Sequence, residues 1–346
     1  MSSLHDLPER VFRMIESGVV ANFVTVTAKG GPIDTPTYYF PSDDMATVDV
    51  ATGVPNPAKA ERARRNPKVG ILIEGRPDEP VVVIRARAAV RDGDIQSNAI
   101  RYLAETGWQG ISHGITWEQA RLAVTYWSRI IIENSPERIY WWDNHAALGD
   151  APGVWNAPAD RVWATSDPAP EAPVSPGNWT ARPWQDVAAD AIGAGHPAHM
   201  SVVDADGYPV PMRASHVELV EAGFRLVLPK GVPWGYAGKG CITFAGYRTF
   251  IGEAEASGDA VLFRVERALP QHPSTLDTKQ VLQPAETTVA KTRARLESEL
   301  ARRGQPLPVI PDTAPERTRI ARIRMERIAG DSPITGLTTD HGNRTT

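Results

Sequence analysis

The sequence predicts a mainly β protein, two β-barrels with short helices fused in one chain and packed as a pair. Three observations predict it. Short alternating segments joined by glycine turns fill the first 143 residues, a Pro- and Trp-rich stretch without periodicity follows, and then the pattern starts again. Residues 13–33 (RMIESGVVANFVTVTAKGGPI) and 190–210 (DAIGAGHPAHMSVVDADGYPV) align without gaps at an offset of 177, placing Gly18 on Gly195, Val26 on Val203, Gly30 on Gly207 and Pro32 on Pro209. Two copies are too few for a solenoid, so a pair of packed barrels is expected.

Taken in order, Asp6 and Pro8 open a helix whose stripe is Leu7, Val11 and Met14/Ile15, and Gly18 supplies a C′ stop. Phe23–Thr27 alternates as a strand, Lys29-Gly30-Gly31 turns it, and Ile33–Phe40 returns as its partner. In that partner Ile33, Thr35, Thr37 and Tyr39 share one face, and Asp34, Pro36, Tyr38 and Phe40 the other. Pro36 cannot donate to a ladder, which predicts an edge, a bulge or a side open to ligand. Thr47–Ala51 and Val69–Ile73 are strands flanking a short basic helix that Asn66-Pro67 must end. Val81–Val90 is a fifth strand, Asp94–Glu105 a helix, and Thr116-x-x-Gln119 a capping box opening another. Arg129–Glu133 and Arg138–Trp142 complete a five- or six-stranded unit. The expected organisation is a first barrel over 1–143, a linker over 144–180, a second barrel over 181–330 and a polar tail over 331–346. In the second unit, Glu286–Arg303 reads as a helix and Arg322–Ile328 as its closing strand.

Composition narrows the function. A net charge of −4 and 23% charged residues give no sign of a nucleic-acid or anionic-membrane binder. One cysteine, Cys241, excludes an internal disulfide and a cysteine-rich zinc site. There is no apolar run of the roughly 20 residues needed to span a bilayer, and no signal peptide is visible, so a cytoplasmic location is expected.

Three generic motifs carry no chemistry here. Gly193-Ala-Gly195-His-Pro-Ala198 fits a loose dinucleotide pattern, yet a helix precedes it and Pro197 would fall inside the helix required next. Asp204-x-Asp206-Gly207 is a hairpin turn and not a calcium loop. Gly110-Ile-Ser112-His-Gly114 fits the nucleophile-elbow pattern but lacks the strand before it, which makes a serine hydrolase the weakest reading. The eight histidines show no metal-ligand spacing.

What remains is Ala51–Gly70, where strand, loop, basic helix and strand carry two Lys and three Arg. Lys59 lies in the first turn of the helix, where free amides also favour an anion. The second unit is shorter by 11 residues between the matching landmarks Gly30/Ala86 and Gly207/Gly252, and it lacks this helix and its Asn-Pro stop. Only one half keeps the anion device.

The ordered series of glycine hairpin, T-P-x-Y-x-F (Thr35, Pro36, Tyr38, Phe40), Thr52, Lys59, R-R-N-P-K-V (Arg64–Val69) and I-R-A-R-A-x-V (Ile84–Val90) resembles the pyridoxamine-phosphate-oxidase-like, flavin-binding split-barrel superfamily. The resemblance implies an oxidoreductase with FMN, or alternatively F420, in a groove between two barrels. It implies that Thr35, Pro36, Thr37 and Tyr38 lie beside the ring, that Thr52 and Lys59 bind phosphate, and that Arg85 and Arg87 also line the cofactor site. The tandem chain would then build a pseudo-dimer by itself, with a further homodimer of chains left open. Its second unit would supply the facing wall through Lys230, Trp234, Tyr236 and Arg248. The expected substrate is a small, planar or aromatic molecule; no catalytic residue is assigned. The alternative is a non-catalytic flavin- or haem-binding protein of the same fold, with haem disfavoured because His341 falls in the polar tail.

Overall fold

The structure is a computed structural model that describes residues 4–106, 116–171, 182–244, 248–270 and 286–330. The nucleophile-elbow pattern at 110–114 and His341 lie outside the described residues. A short 3-10 turn leads into α1 (Glu9–Ser17), followed by β1 (Val20–Val26), β2 (Pro32–Pro41), β3 (Val48–Gly53), α2 (Ala58–Arg65), β4 (Lys68–Ile73) and β5 (Val81–Arg91). Next come α3 (Ile95–Thr106), α4 (Trp117–Ala120), α5 (Val124–Trp127), β6 (Arg129–Trp142) and β7 (Gly153–Asn156). The strands are antiparallel in the order β3-β2-β1-β4-β5-β6, β3 pairs with β6 to close a six-stranded barrel, and β7 extends one end of β6. The two expected strands before Trp142 are one, bent by a bulge opposite Arg85/Ala86.

Alternation explains the closure. Phe23, Tyr39, Val48, Val50, Val69, Ile71, Val82, Ile84 and Ile130 point into one core, into which α2 inserts Ala60 and Ala63. Gly18 does not take the left-handed conformation of a helix stop. It is small for another reason: a Cβ there would sit 2.3 Å from the Tyr39 hydroxyl, which donates to the carbonyls of Met14 and Ile15.

The second unit repeats the design. It comprises α6 (Trp184–Gly193), β8 (Ala198–Val203), β9 (Pro209–Arg213), β10 (His216–Val220), β11 (Gly223–Val227), β12 (Gly238–Phe244), β13 (Arg248–Ser257) and β14 (Ala260–Ala268). Its order is β10-β11-β14-β13-β12-β8-β9. The 177-residue offset survives in the register: Val26↔Pro32 becomes Val203↔Pro209, and Tyr39↔Val50 becomes His216↔Val227. Even the bulge at Arg85/Ala86 recurs at Ile251/Gly252. Thus β9 and β10 are two halves of the counterpart of β2, interrupted at Ala214-Ser215, and this unit is a curled sheet where the first is a closed barrel. Gly30 and Gly207 both have φ near +80° (79° and 83°), so each hairpin needs its glycine.

The helix α7 (Glu286–Arg302) holds as expected, but Arg319–Gly330 is a helix, α8, and not a strand. Both pack on the first barrel: Leu296, Leu300 and Ile320 join its core, and buried Arg324 donates to the carbonyls of Gly18 and Val19. The two units share one body. Outward-facing Leu72, Val81, Val83, Tyr140 and Trp142 of the first barrel belong to the apolar core of the second. At Gly70 the backbones touch, and a Cβ would fall 1.9 Å from the Pro209 carbonyl oxygen. Among the described residues no helix is long and apolar enough to cross a membrane.

Candidate functional site

The barrel is split beside β2. Residues Pro32–Tyr38 pair with β1, but β2 meets β3 only through Tyr39, Phe40 and Pro41. The remaining edge faces the second unit: the Asp34 N–H donates to Cys241 Sγ (3.3 Å) and its carbonyl accepts from the Thr243 hydroxyl (3.5 Å). Backbone groups two residues apart point the same way, so the missing N–H of Pro36 falls on this open edge. The expectation drawn from that proline is met without any break in the β1 ladder.

A tight loop then carries the chain into α2. The Asn56 N–H donates to the Gly53 carbonyl, and the Thr52 hydroxyl donates to the Asn56 carbonyl at 2.9 Å. The helix runs for two turns and stops at Asn66, which leaves the helical region before Pro67. The first-turn N–H groups of Ala58, Lys59 and Ala60 have no intrahelical acceptor.

Around this turn stand three cations that have no ion-pair partner among the described residues: Lys59, Arg62 and Arg129. The Lys59 ammonium is 5.9 Å from the Phe23 ring centroid, and Phe23 pairs with Thr35. Burial, then Arg62 and Arg129, push the Lys59 pKa down to about 7 against the pull of Asp34. Arg62 Nε donates to the Thr25 hydroxyl at 2.7 Å; burial and then Arg65 lower its pKa to about 10. Arg129 pairs with Gly53 across the β3–β6 ladder and lies over two rings, 4.7 Å from Tyr102 and 4.0 Å from Tyr126, with its Nε buried and unpartnered. Tyr38 neighbours the same pair of tyrosines, and burial raises its pKa. A positive mouth of this kind, walled by rings and ending in free amides, suits a phosphate monoester on a planar body.

Of the sequence-predicted residues, Lys59, Thr52, Thr35 (through Phe23) and Tyr38 (through Tyr102 and Tyr126) connect to this mouth, while Pro36 and Thr37 lie between Thr35 and Tyr38 on β2. The structure does not bring Arg85 and Arg87 there; their guanidiniums are spent on the seam between the units. Arg85 pairs with Asp204 (2.5 Å) and Asp206 (2.8 Å), and Arg87 with Glu137 (2.8 Å), which also accepts from Tyr208. Three of the four residues expected in the second-unit wall are engaged elsewhere: Lys230 pairs with Asp259, Trp234 packs on Tyr140 and Trp142, and the Tyr236 hydroxyl donates to Pro229. What the second unit does present is His199, Cys241 and Thr243. His199 holds Glu74 at 2.8 Å. Asp34 is buried between His199 and Lys59 and has a pKa near 6, raised by burial and drawn back by His199, Asn22, Thr35 and Lys59. Among the described residues no group of His, Cys, Asp and Glu could hold a metal.

Sequence reasoning missed Arg129, Tyr102 and Tyr126. They lie about 40 to 70 residues from Lys59 in the chain, and only the pairing of β3 with β6 assembles them.

No protein-family model and no curated protein matches the chain. Among solved structures it is similar to general stress protein 26 from Bacillus anthracis (16% identity, 43% of this chain and 97% of that one, TM-score 0.29). It is similar also to a pyridoxamine 5'-phosphate oxidase-related, FMN-binding protein from Nostoc punctiforme (11% identity, 46% and 96%, TM-score 0.34). A third is an F420 reductase (14% identity, 40% and 100%, TM-score 0.32). Function has to be read from the side chains of this chain.

Proposed function

We infer that the protein is an oxidoreductase that binds FMN, with the deazaflavin F420 as the alternative cofactor, at the split between β2 and β3. The observation that carries this reading is the mouth itself. Three partly buried cations with no ion pair among the described residues, and only the nearby Asp34 to offset them, are costly to maintain and fit a doubly charged phosphate. The buried, unpartnered Nε of Arg129 is the kind of orphan that a bound anion satisfies.

When bound, the cofactor supplies the hydride and electron chemistry. The chain's own residues bind and orient. Lys59, Arg62, Arg129 and the first turn of α2 hold the phosphate. The edge from Thr35 to Tyr38 runs beside the ring, and the proline there leaves one position on that edge without a donor. Tyr38, Tyr102 and Tyr126 wall the mouth with apolar surface, keeping water away and favouring a small planar substrate. Arg85 and Arg87 have a different task, holding the two units together.

The test is direct. Purified protein is expected to show a flavin absorption spectrum that bleaches with dithionite, or to acquire one when titrated with FMN or F420. Turnover is then sought with planar electron acceptors. A Soret band, or no binding of either cofactor, would refute the reading. A flavin that binds and is never reoxidised by any acceptor would reduce it to a carrier.

A further inference from the structure

The second unit has a cleft of about 260 Å³, at the break between β9 and β10. Arg213, Ala214 and Ser215 form one wall, Leu228 the next, and His145 and Leu148, from the 3-10 turn His145–Gly149 after the first barrel, the third. At the 177-residue offset these wall positions are the counterparts of Pro36, Thr37, Tyr38 and Ala51. The cleft is therefore the pseudo-symmetric image of the split beside β2, remade. It has no basic helix, and the connecting segment lines it: the Gly231 N–H donates to the Leu148 carbonyl, and a Cβ at Gly231 would meet the Asp150 carbonyl oxygen at 2.0 Å.

Its chemistry is readable. Among the described residues no carboxylate lines the cleft. The one cation in its lining, again among the described residues, is Arg213, with 38% of its side chain exposed, and its single ion-pair partner is Glu74 at 3.4 Å. That same Glu74 oxygen is already held by His199 at 2.8 Å, so most of the Arg213 donors are uncommitted. His145 Nε2 is buried and has no hydrogen-bond partner among the described residues. Burial lowers the His145 pKa, and Arg213 and His199 add to the effect, with Glu74 opposing, so the ring is a neutral hydrogen-bonding group at pH 7. The rest of the wall is hydrocarbon: Leu148, Ala214, Leu228 and Pro229. One guanidinium, one neutral imidazole and apolar walls suit a monoanion with a compact apolar body. A phosphate dianion would lack a second cation.

We propose that this cleft is a second ligand site, built for a small apolar monocarboxylate that Arg213 binds through its guanidinium, with the neutral imidazole of His145 in the wall beside it. It is separate from the mouth around Lys59, and its test does not depend on what binds there.

Benzoate serves as the probe and benzamide as its neutral counterpart, each titrated calorimetrically into the full chain. Benzoate is expected to bind, with benzamide weaker by about tenfold or more. Arg213→Gln is expected to weaken benzoate by a similar factor, and Lys59→Met to leave this binding unchanged. Gly149→Phe is the second blocking variant, because Gly149 lines the cleft and a Cβ there meets nothing within 4 Å, so a ring is expected to be accommodated and to crowd the cleft. Absence of benzoate binding up to its solubility would overturn the proposal. So would equal binding of benzamide, survival of binding in both Arg213→Gln and Gly149→Phe, or loss of binding in Lys59→Met alone.

Discussion

Replacing Lys59 by methionine separates stability from binding, because the two should move in opposite directions. In the free protein the charged ammonium is disfavoured by burial and by Arg62 and Arg129, and its pKa falls from 10.5 to about 7. A fall of that size corresponds to about 5 kcal/mol against the charged form. Partial solvent access and relaxation around a flexible side chain reduce this, and about 1–2 kcal/mol of net stabilisation is expected at pH 6. Lys59→Met should therefore melt later than the parent protein. The sign has a pH signature. The folded-state pKa lies below the unfolded one, so the unfolded chain binds more protons between about pH 7 and pH 10.5. The parent's handicap is full below pH 7 and fades as the pH rises toward 10.5, so the variant's advantage should fade with it. Binding behaves differently. A charge-assisted hydrogen bond to phosphate is worth about 1.5–3 kcal/mol, so FMN affinity should drop about 10- to 100-fold. In the parent, FMN affinity should be greatest between about pH 6, where the phosphate takes its second charge, and pH 7, where Lys59 begins to lose its proton. Differential scanning fluorimetry from pH 6 to 10 and fluorescence titration with FMN measure both quantities. A variant that is less stable and binds FMN as well as its parent would refute the reasoning.

The same logic fixes the other expectations. Lys239→Met, in the second unit, should change FMN affinity less than twofold, because Lys239 is exposed and, among the described residues, donates only to the Lys29 carbonyl. Arg85→Leu strands the buried Asp204 carboxylate and should cost about 3–5 kcal/mol in a urea melt, while the protein that remains folded keeps its FMN affinity; a selective loss of affinity would return Arg85 to the cofactor. Gly70→Ala pushes a Cβ into the Pro209 carbonyl, and should destabilise by about 1–3 kcal/mol or prevent soluble expression.

Local chemistry was legible in the sequence. The hairpins at Gly30 and Gly207, the helix stop at Pro67 and the capping box at Thr116 are each decided by a few neighbouring residues, and the structure carries all four. The open edge at Pro36 was legible for the same reason. What failed depended on distant partners. The segment 322–328 alternates apolar and charged residues like a strand, yet it is helical, and its buried Arg324 is held by the carbonyls of Gly18 and Val19 some 300 residues away. Arg85 and Arg87 sit in the right strand with the right spacing, but Asp204, Asp206 and Tyr208 of the other unit compete for that face. No window of sequence contains both sides of such a contest.

The asymmetry of the two units follows from the energetics of the mouth. A cluster like Lys59, Arg62 and Arg129 is a liability in the free protein, tolerated where an anion returns the energy on binding. Two copies would double the liability, and fusion in one chain allows one copy to go while the other remains. The second unit shows what that relief permits. Its counterpart of β2 breaks at Ala214-Ser215, a connecting turn from residues 145–149 lines the vacated split, and a single arginine stands where the first unit has Pro36. The strand register is kept through the change, with His216↔Val227 still matching Tyr39↔Val50, because the apolar core beneath fixes it independently of the mouth. Core and mouth are thus energetically separable in this fold: the register survives in the second unit where the basic helix and its cations do not.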